Sequence, residues 1–317
     1  MTRFKSKYDR VFKSLSRLDL QKGALGLEEL GIDDLFSREP ELWLGFYSKE
    51  GLTVAFEKYG FVEDFKAQGF DEVNFEIYMN DPDEHMLRFW GVRPKTEIPL
   101  IELVVRRGHI RPHGALAARM KRDYINVLDV EWLQMQNPLA DFAPDRPPLP
   151  GQAYPGLGLG KQVMEMLRQA CKRLNLDGLV TTPAYFHNAF FYSEEFFFFD
   201  PEVQGLFLAL CRDVLPQTRG NLGHASWALN WKLVAHAEEA QLEPFAWFHD
   251  PQVCPISPYL KEYFDSALFH GDSLQALSSQ TFRVLKDPLK EMLSHKGIAP
   301  FDLSKIQAWV HTPQATS

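Results

Sequence analysis

The hexapeptide Pro155-Gly156-Leu157-Gly158-Leu159-Gly160 constrains this chain more than any other stretch. Glycine recurs at every second position, and residues 161–174 then keep helical spacing. Val163, Leu167, Ala170 and Leu174 fall on one face, joined by Met164 and Cys171. A glycine loop that opens a helix leaves backbone N–H groups without intrahelical partners, and the positive end of the helix dipole stands behind them. Together they make an anion site, most often for phosphate.

The two commonest nucleotide loops do not fit. A G-x-G-x-x-G fingerprint needs its third glycine where Lys161 stands, and it needs a strand directly before it. Here residues 137–155, with Pro147-Pro148 and Pro150, are too broken for regular structure. A G-x-x-x-x-G-K-[ST] loop needs glycine where Pro155 stands and Ser or Thr where Gln162 stands.

Bulk properties exclude several classes. A chain of 317 residues holds one large domain or two smaller ones. A net charge of −8 argues against a general nucleic-acid binder, which carries a basic excess. The three cysteines, Cys171, Cys211 and Cys254, suggest neither a disulfide framework nor a CxxC metal site. No apolar signal core opens the chain and no run approaches a membrane span, so a cytoplasmic setting is expected, with no membrane partner.

Before the loop, residues 4–19, 28–35, 49–59 and 62–66 predict helices, and the first seventy residues carry no chemical motif. From Asp71 the period changes to two. Residues 73–79, 86–92, 99–105 and 124–135 predict strands of an antiparallel meander. Arg106, Arg107, Arg111, Arg119, Lys121 and Arg122 around His109 and His113 read as a solvated connector, with a phosphate-binding patch as the second reading. His109 and His113 have a metal-compatible spacing, but Pro112 opposes a helix there and no carboxylate joins them, so no metal is expected. In the last strand, alternation puts Ile125, Val127, Asp129, Glu131, Leu133 and Met135 on one face. Two acids on an apolar face must be paired or used. After the loop, a strand over 179–182, a helix over 184–192, a buried strand at 196–199 and a helix over 202–214 follow. Alternation of Trp227, Leu229, Trp231 and Leu233 predicts a strand over 225–234. Residues 258–269, 273–285, 288–295 and 303–310 read as helices.

A glycine loop after a strand, then helix, strand and a helix ending in Phe191-Tyr192, resembles the GNAT N-acyltransferase superfamily. Its loop signature is [RQ]-x-x-G-x-[GA]. Gly158 and Gly160 match the two glycine positions, and Pro155 replaces Arg or Gln. Its second signature, [FL]-Y-x-x-x-G-F, matches residues 191–197 except that Phe196 replaces glycine. The resemblance covers residues 70–235, about half the chain. It implies an α+β, GNAT-like fold, a mixed and mostly antiparallel sheet flanked by helices. The expected organisation is a helical N-terminal extension (1–70), the acyltransferase domain (71–235) and a mainly helical C-terminal extension (236–317).

The resemblance further implies transfer of an acyl group from acetyl-CoA or another acyl-CoA to an amine, carried by a small molecule or a peptide, with no nucleic acid. The N–H groups of Gly156, Leu157, Gly158, Leu159, Gly160 and Lys161 would hold the pyrophosphate. The strand segment Trp132, Leu133, Gln134 and Met135 would lie along the thioester and stabilise its oxyanion. Glu131 is the preferred general base and Asp129 the second choice, against the reading that both pair with the upstream arginines. Tyr192 is the candidate acid for the leaving thiolate, and His187 reads as structural. The alternative is a non-catalytic GNAT-fold protein that binds acyl-CoA or a protein partner.

Overall fold

The computed structural model describes residues 3–23, 42–79, 81–93, 96–112, 117, 120, 122–143, 146–237 and 243–298. The helices expected at 28–35 and 303–310 lie outside the described residues, as do His113, Arg119 and Lys121. Two compact units interleave along the chain. The first comprises 1–110, 124–139 and 156–179; the second comprises 111–123, 140–155 and 180–317.

The first unit opens with α1 (Arg3–Ser14), α2 (Arg17–Leu20), α3 (Lys49–Tyr59) and α4 (Phe61–Ala67). Ser16 and Asp19 form a capping box on α2, and the Ser48 hydroxyl accepts from Gly51 N–H to cap α3. The meander follows as β1 (Val73–Tyr78), β2 (Glu84–Arg93), β3 (Thr96–Ile110) and β4 (Ile125–Met135), each antiparallel to the next. One sheet face carries Leu87, Phe89, Ile101, Leu103 and Val105, all buried. Phe56 of α3 packs edge-on to Phe75 and Phe89 of this face. After β4 come α5 (Gly160–Arg173) and the first two residues of β5 (Gly178–Thr181), a strand next to β4 in the sheet order. Asp177 enters β5 level with Asn126: its N–H donates to Asn126 O at 2.8 Å, and its carboxylate accepts from Asn126 N–H at 3.0 Å.

Two expectations in this unit need correction. Arg106, Arg107 and His109 do not form a connector, because β3 runs on to Ile110 and pairs there with β4. The strict alternation expected along β4 also fails. Val104 faces Trp132 and Val105 faces Val130, so Glu131 is an extra residue with no partner. One inserted residue reverses the alternation beyond it. Leu133 and Met135 therefore share a face with Val130, opposite to that of Asp129.

The second unit contains α6 (Phe186–Tyr192), β6 (Phe197–Phe198), α7 (Pro201–Gln217), α8 (Leu222–Asn230), β7 (Val234–His236), β8 (Gln252–Pro255), α9 (Pro258–Phe264), α10 (Ala267–Ser279), β9 (Phe282–Val284) and α11 (Lys286–His295). β6 pairs with β8 and β7 with β9, both antiparallel. Phe186, Phe198 and Phe207 sit at the centre of its core. The strand expected at 225–234 is mostly helix α8. Asn221 caps it by accepting from His224 N–H at 2.9 Å, and every residue from Leu222 to Leu229 is buried. A helix buried on all sides shows no 3.6-residue pattern, so its chance alternation imitates a strand. The helices expected at 258–269 and 273–285 resolve into α9, α10 and β9, with a break at Asp265-Ser266.

Helices α7 and α10 touch at Gly205, where an added Cβ would come within 2.3 Å of Ser273 O. Gly205→Ala is therefore expected to destabilise the protein by about 1–3 kcal/mol, read as a lower midpoint in chemical unfolding at unchanged slope.

Candidate active site

The glycine loop has a simple internal logic. Leu157 and Leu159 are buried at 1% and 3% exposure, while Gly156 and Gly158 face outward. The leucines anchor the segment, each burial contributing roughly 1.5–3 kcal/mol, and the glycines present bare backbone. Gly158 has φ +73°, which suits glycine, and a Cβ there would meet nothing within 4 Å. Gly156 needs no left-handed conformation, and a Cβ on it would come no closer than 3.8 Å, to Met135 O. Close packing therefore does not account for Gly156. α5 begins at Gly160 with no side-chain cap and no acid in its first turn, so its N–H groups keep their positive end.

Helix α5 is fixed from α1. Asp9 accepts from Gln169 at 3.0 Å and from Lys172 at 3.1 Å, and Arg173 donates to Phe12 O at 3.0 Å. Val163, Met164, Leu167, Ala170 and Cys171 are buried, as their spacing predicts, but so are Glu165, Met166 and Gln169, while Leu174 is half-buried at the C-cap.

The loop lies against the end of β4. Beyond the 3.8 Å approach to Met135 O, a Cβ on Gly160 would sit 3.4 Å from Met135 Cε. β5 has only four residues and enters level with Asn126. At roughly 3.3 Å per residue it runs out before Trp132. The β4 edge formed by Trp132, Leu133, Gln134 and Met135 thus extends past β5 and leads to the glycine loop. Trp132 is 52% exposed, Gln134 is exposed, and Leu133 and Met135 are half-buried.

The carboxylates lie just before this segment in β4, Glu131 directly before Trp132 and Asp129 two residues earlier. Glu131, at the bulge, accepts from Arg106 Nε at 2.6 Å. Arg106 also binds Glu84 and lies 3.6 Å from Asp81. Asp129 stands directly opposite Arg106 in the ladder, half-buried, and its carboxylate makes no hydrogen bond among the described residues. Burial, reinforced by the charge of Glu131 and opposed by Arg106, pushes its pKa up to about 6. A groove of about 190 Å³ opens on the same sheet face, lined by Arg88, Trp90, Pro99, Glu102, Gln134 and Gln136.

Tyr192 belongs to the second unit. It ends α6, its ring rests 5.5 Å from Phe196, and burial raises its pKa. Such a phenol stays protonated and can donate. His187 is 4% exposed and bonded through Nδ1 to Ser226 Oγ at 2.7 Å, with burial lowering its pKa to about 4. It is a neutral core residue, as its sequence setting predicts. Among the described residues, no three His, Cys, Asp or Glu side chains are placed to hold a metal ion, and no helix is long and apolar enough to cross a membrane. Of the two acids that the sequence leaves either catalytic or paired with the upstream arginines, Glu131 is paired, with Arg106, which stands in β3 rather than in a connector.

The order of strand, glycine loop, helix, strand and helix ending in Phe191-Tyr192 is present. No protein-family model and no curated protein matches the chain by sequence. Among solved structures, it is similar to AtaT complexed with acetyl-methionyl-tRNAfMet, at 13% identity and TM-score 0.26, over 39% of this chain and 86% of that one. It is similar to AtaTR bound with AcCoA, at 13% identity and TM-score 0.27, over 40% and 87%. A mutant of KacT aligns at 14% identity and TM-score 0.25, over 47% and 75%.

Asp129 also gives the fold a pH signature. Its folded pKa of about 6 lies above the ordinary 3.8. The folded state therefore holds the proton more tightly, and this stabilisation is complete below about pH 3.8 and lost as pH rises through about 6. Asp129→Asn should flatten that decline, measured by chemical unfolding across the interval.

Proposed function

We propose that this protein transfers an acyl group from an acyl-coenzyme A to an amine. The observation that carries the reading is the β4 edge at Trp132–Met135, which runs past β5 into a glycine loop whose Gly156 neither packing nor backbone conformation explains. A linear carrier with amides along its arm and a pyrophosphate at its end matches both parts. The amides add to the strand edge, and the pyrophosphate takes the N–H groups from Gly156 to Lys161 at the start of α5. Coenzyme A has that chemistry.

In this reading the acceptor ammonium gives one proton to the Asp129 carboxylate. The neutral amine forms the C–N bond at the thioester carbonyl as the C–S bond breaks, with backbone N–H groups of Trp132–Met135 facing the oxyanion. The thiolate leaves and takes a proton from solvent, and the second amine proton goes to solvent. Asp129 is preferred to Glu131 as base because Glu131 is held by Arg106, whereas Asp129 is unbonded and titrates near neutrality. The 190 Å³ groove is too small for a whole ligand and suits one arm of the acceptor.

Coenzyme A and acetyl-coenzyme A should each raise the melting temperature; a ligand at 100 times its Kd stabilises by about 2.7 kcal/mol. Gly156→Val should leave the unliganded melting temperature unchanged and weaken coenzyme A binding about tenfold or more, a loss of roughly 1.4 kcal/mol. Unaltered binding by that variant, or no thermal shift with either ligand, sinks the carrier assignment. The acceptor panel comprises small amines, peptides and charged tRNA, the last because AtaT was solved with acetyl-methionyl-tRNAfMet. Stabilisation without turnover on any of them would make the protein a coenzyme A-binding module.

A further inference from the structure

We propose that Arg106 is a positioning residue that sorts the two β4 carboxylates, holding Glu131 as a fixed anion and leaving Asp129 as the proton acceptor. The proposal rests on the acyl-transfer reading of this site. Its geometry comes from the bulge. Glu131 has no partner directly opposite it in the β3–β4 ladder, and its side chain reaches diagonally to Arg106 of β3.

Each nitrogen of the guanidinium is committed to a carboxylate. Nε donates to Glu131 at 2.6 Å, one terminal nitrogen donates to Glu84, and the other lies 3.6 Å from Asp81. These acids come from β4, β2 and the turn before β2. Asp129 faces Arg106 across the ladder, so it feels the cation without receiving a hydrogen bond from it. A carboxylate that is unbonded and half-buried can accept a proton at little cost. One gripped by a guanidinium at 2.6 Å cannot, since protonation would break that ion pair. The charged groups acting on Asp129 are Glu131 on its own strand and Arg106 on β3. Glu84 and Asp81 act through Arg106. A pair of carboxylates two residues apart is thereby made unequal by one cation.

The test uses the full chain and two readouts. Titration of the Asp129 carboxyl by ¹³C NMR requires no turnover. In Arg106→Gln its midpoint should rise by about one unit or more, because a cation that favours the charged form is gone. Arg106→Lys, which keeps the charge, should bring it back most of the way. Glu131→Gln, which removes a like charge, should lower it. The acid limb of the kcat/KM profile should move in step with the NMR midpoint in each variant, while the thermal shift with coenzyme A stays unchanged. An unmoved Asp129 midpoint in both Arg106→Gln and Glu131→Gln overturns the proposal, and so does an acid limb that follows Glu131 instead of Asp129. If Arg106→Gln does not fold, Glu131→Gln alone decides the sign. Loss of the coenzyme A shift in the wild-type protein would strike the acyl-transfer reading, not the clamp, which the NMR arm still reads.

Discussion

Between Val130 and Trp132, β4 carries one residue more than β3 can match, and much of the first unit's chemistry depends on that mismatch. An extra residue cannot be absorbed by a ladder, so the strand bends and its side chains change face beyond it. Upstream of Glu131, the strand places Asp129 on the face of Arg106 and Glu84. Downstream, it turns Leu133 and Met135 to the face of the buried β2 and β3 side chains, and Trp132 and Gln134 outward. The bulged residue itself is free to swing to Arg106. Without it, Asp129 and Glu131 would be equivalent acids on one face.

The second constraint is the reach of β5. Four residues entering level with Asn126 cannot cover an eleven-residue strand, so the far end of β4 extends past β5. The glycine loop lies where that edge ends, tied down by Leu157 and Leu159 and bare at Gly156 and Gly158. In the proposed reading, a linear ligand with amides and phosphates would lie along the strand edge and end at the helix N-terminus.

Much of this was legible in the sequence. The period-two runs located the meander, the 3.6-residue spacing located α5 and its buried face, and the loop stood out by its glycines. The errors have physical causes. Arg106 looked like solvated connector because arginine is usually exposed, yet carboxylates from both neighbouring strands let it sit inside β3. Helix α8 looked like a strand because burial on every side erased its period. Strands β7 and β9 have three residues each, too few to show alternation.

Local sequence by itself determined the loop, the helix behind it and the strand that carries two acids, since each depends on backbone conformation and on periodicity within about fifteen residues. Which acid is free depended on tertiary structure. That choice is made by a register mismatch with β3 and by a guanidinium 25 positions before Glu131 in the chain. No local pattern encodes a pairing register, because it is set by how two strands bury their faces together.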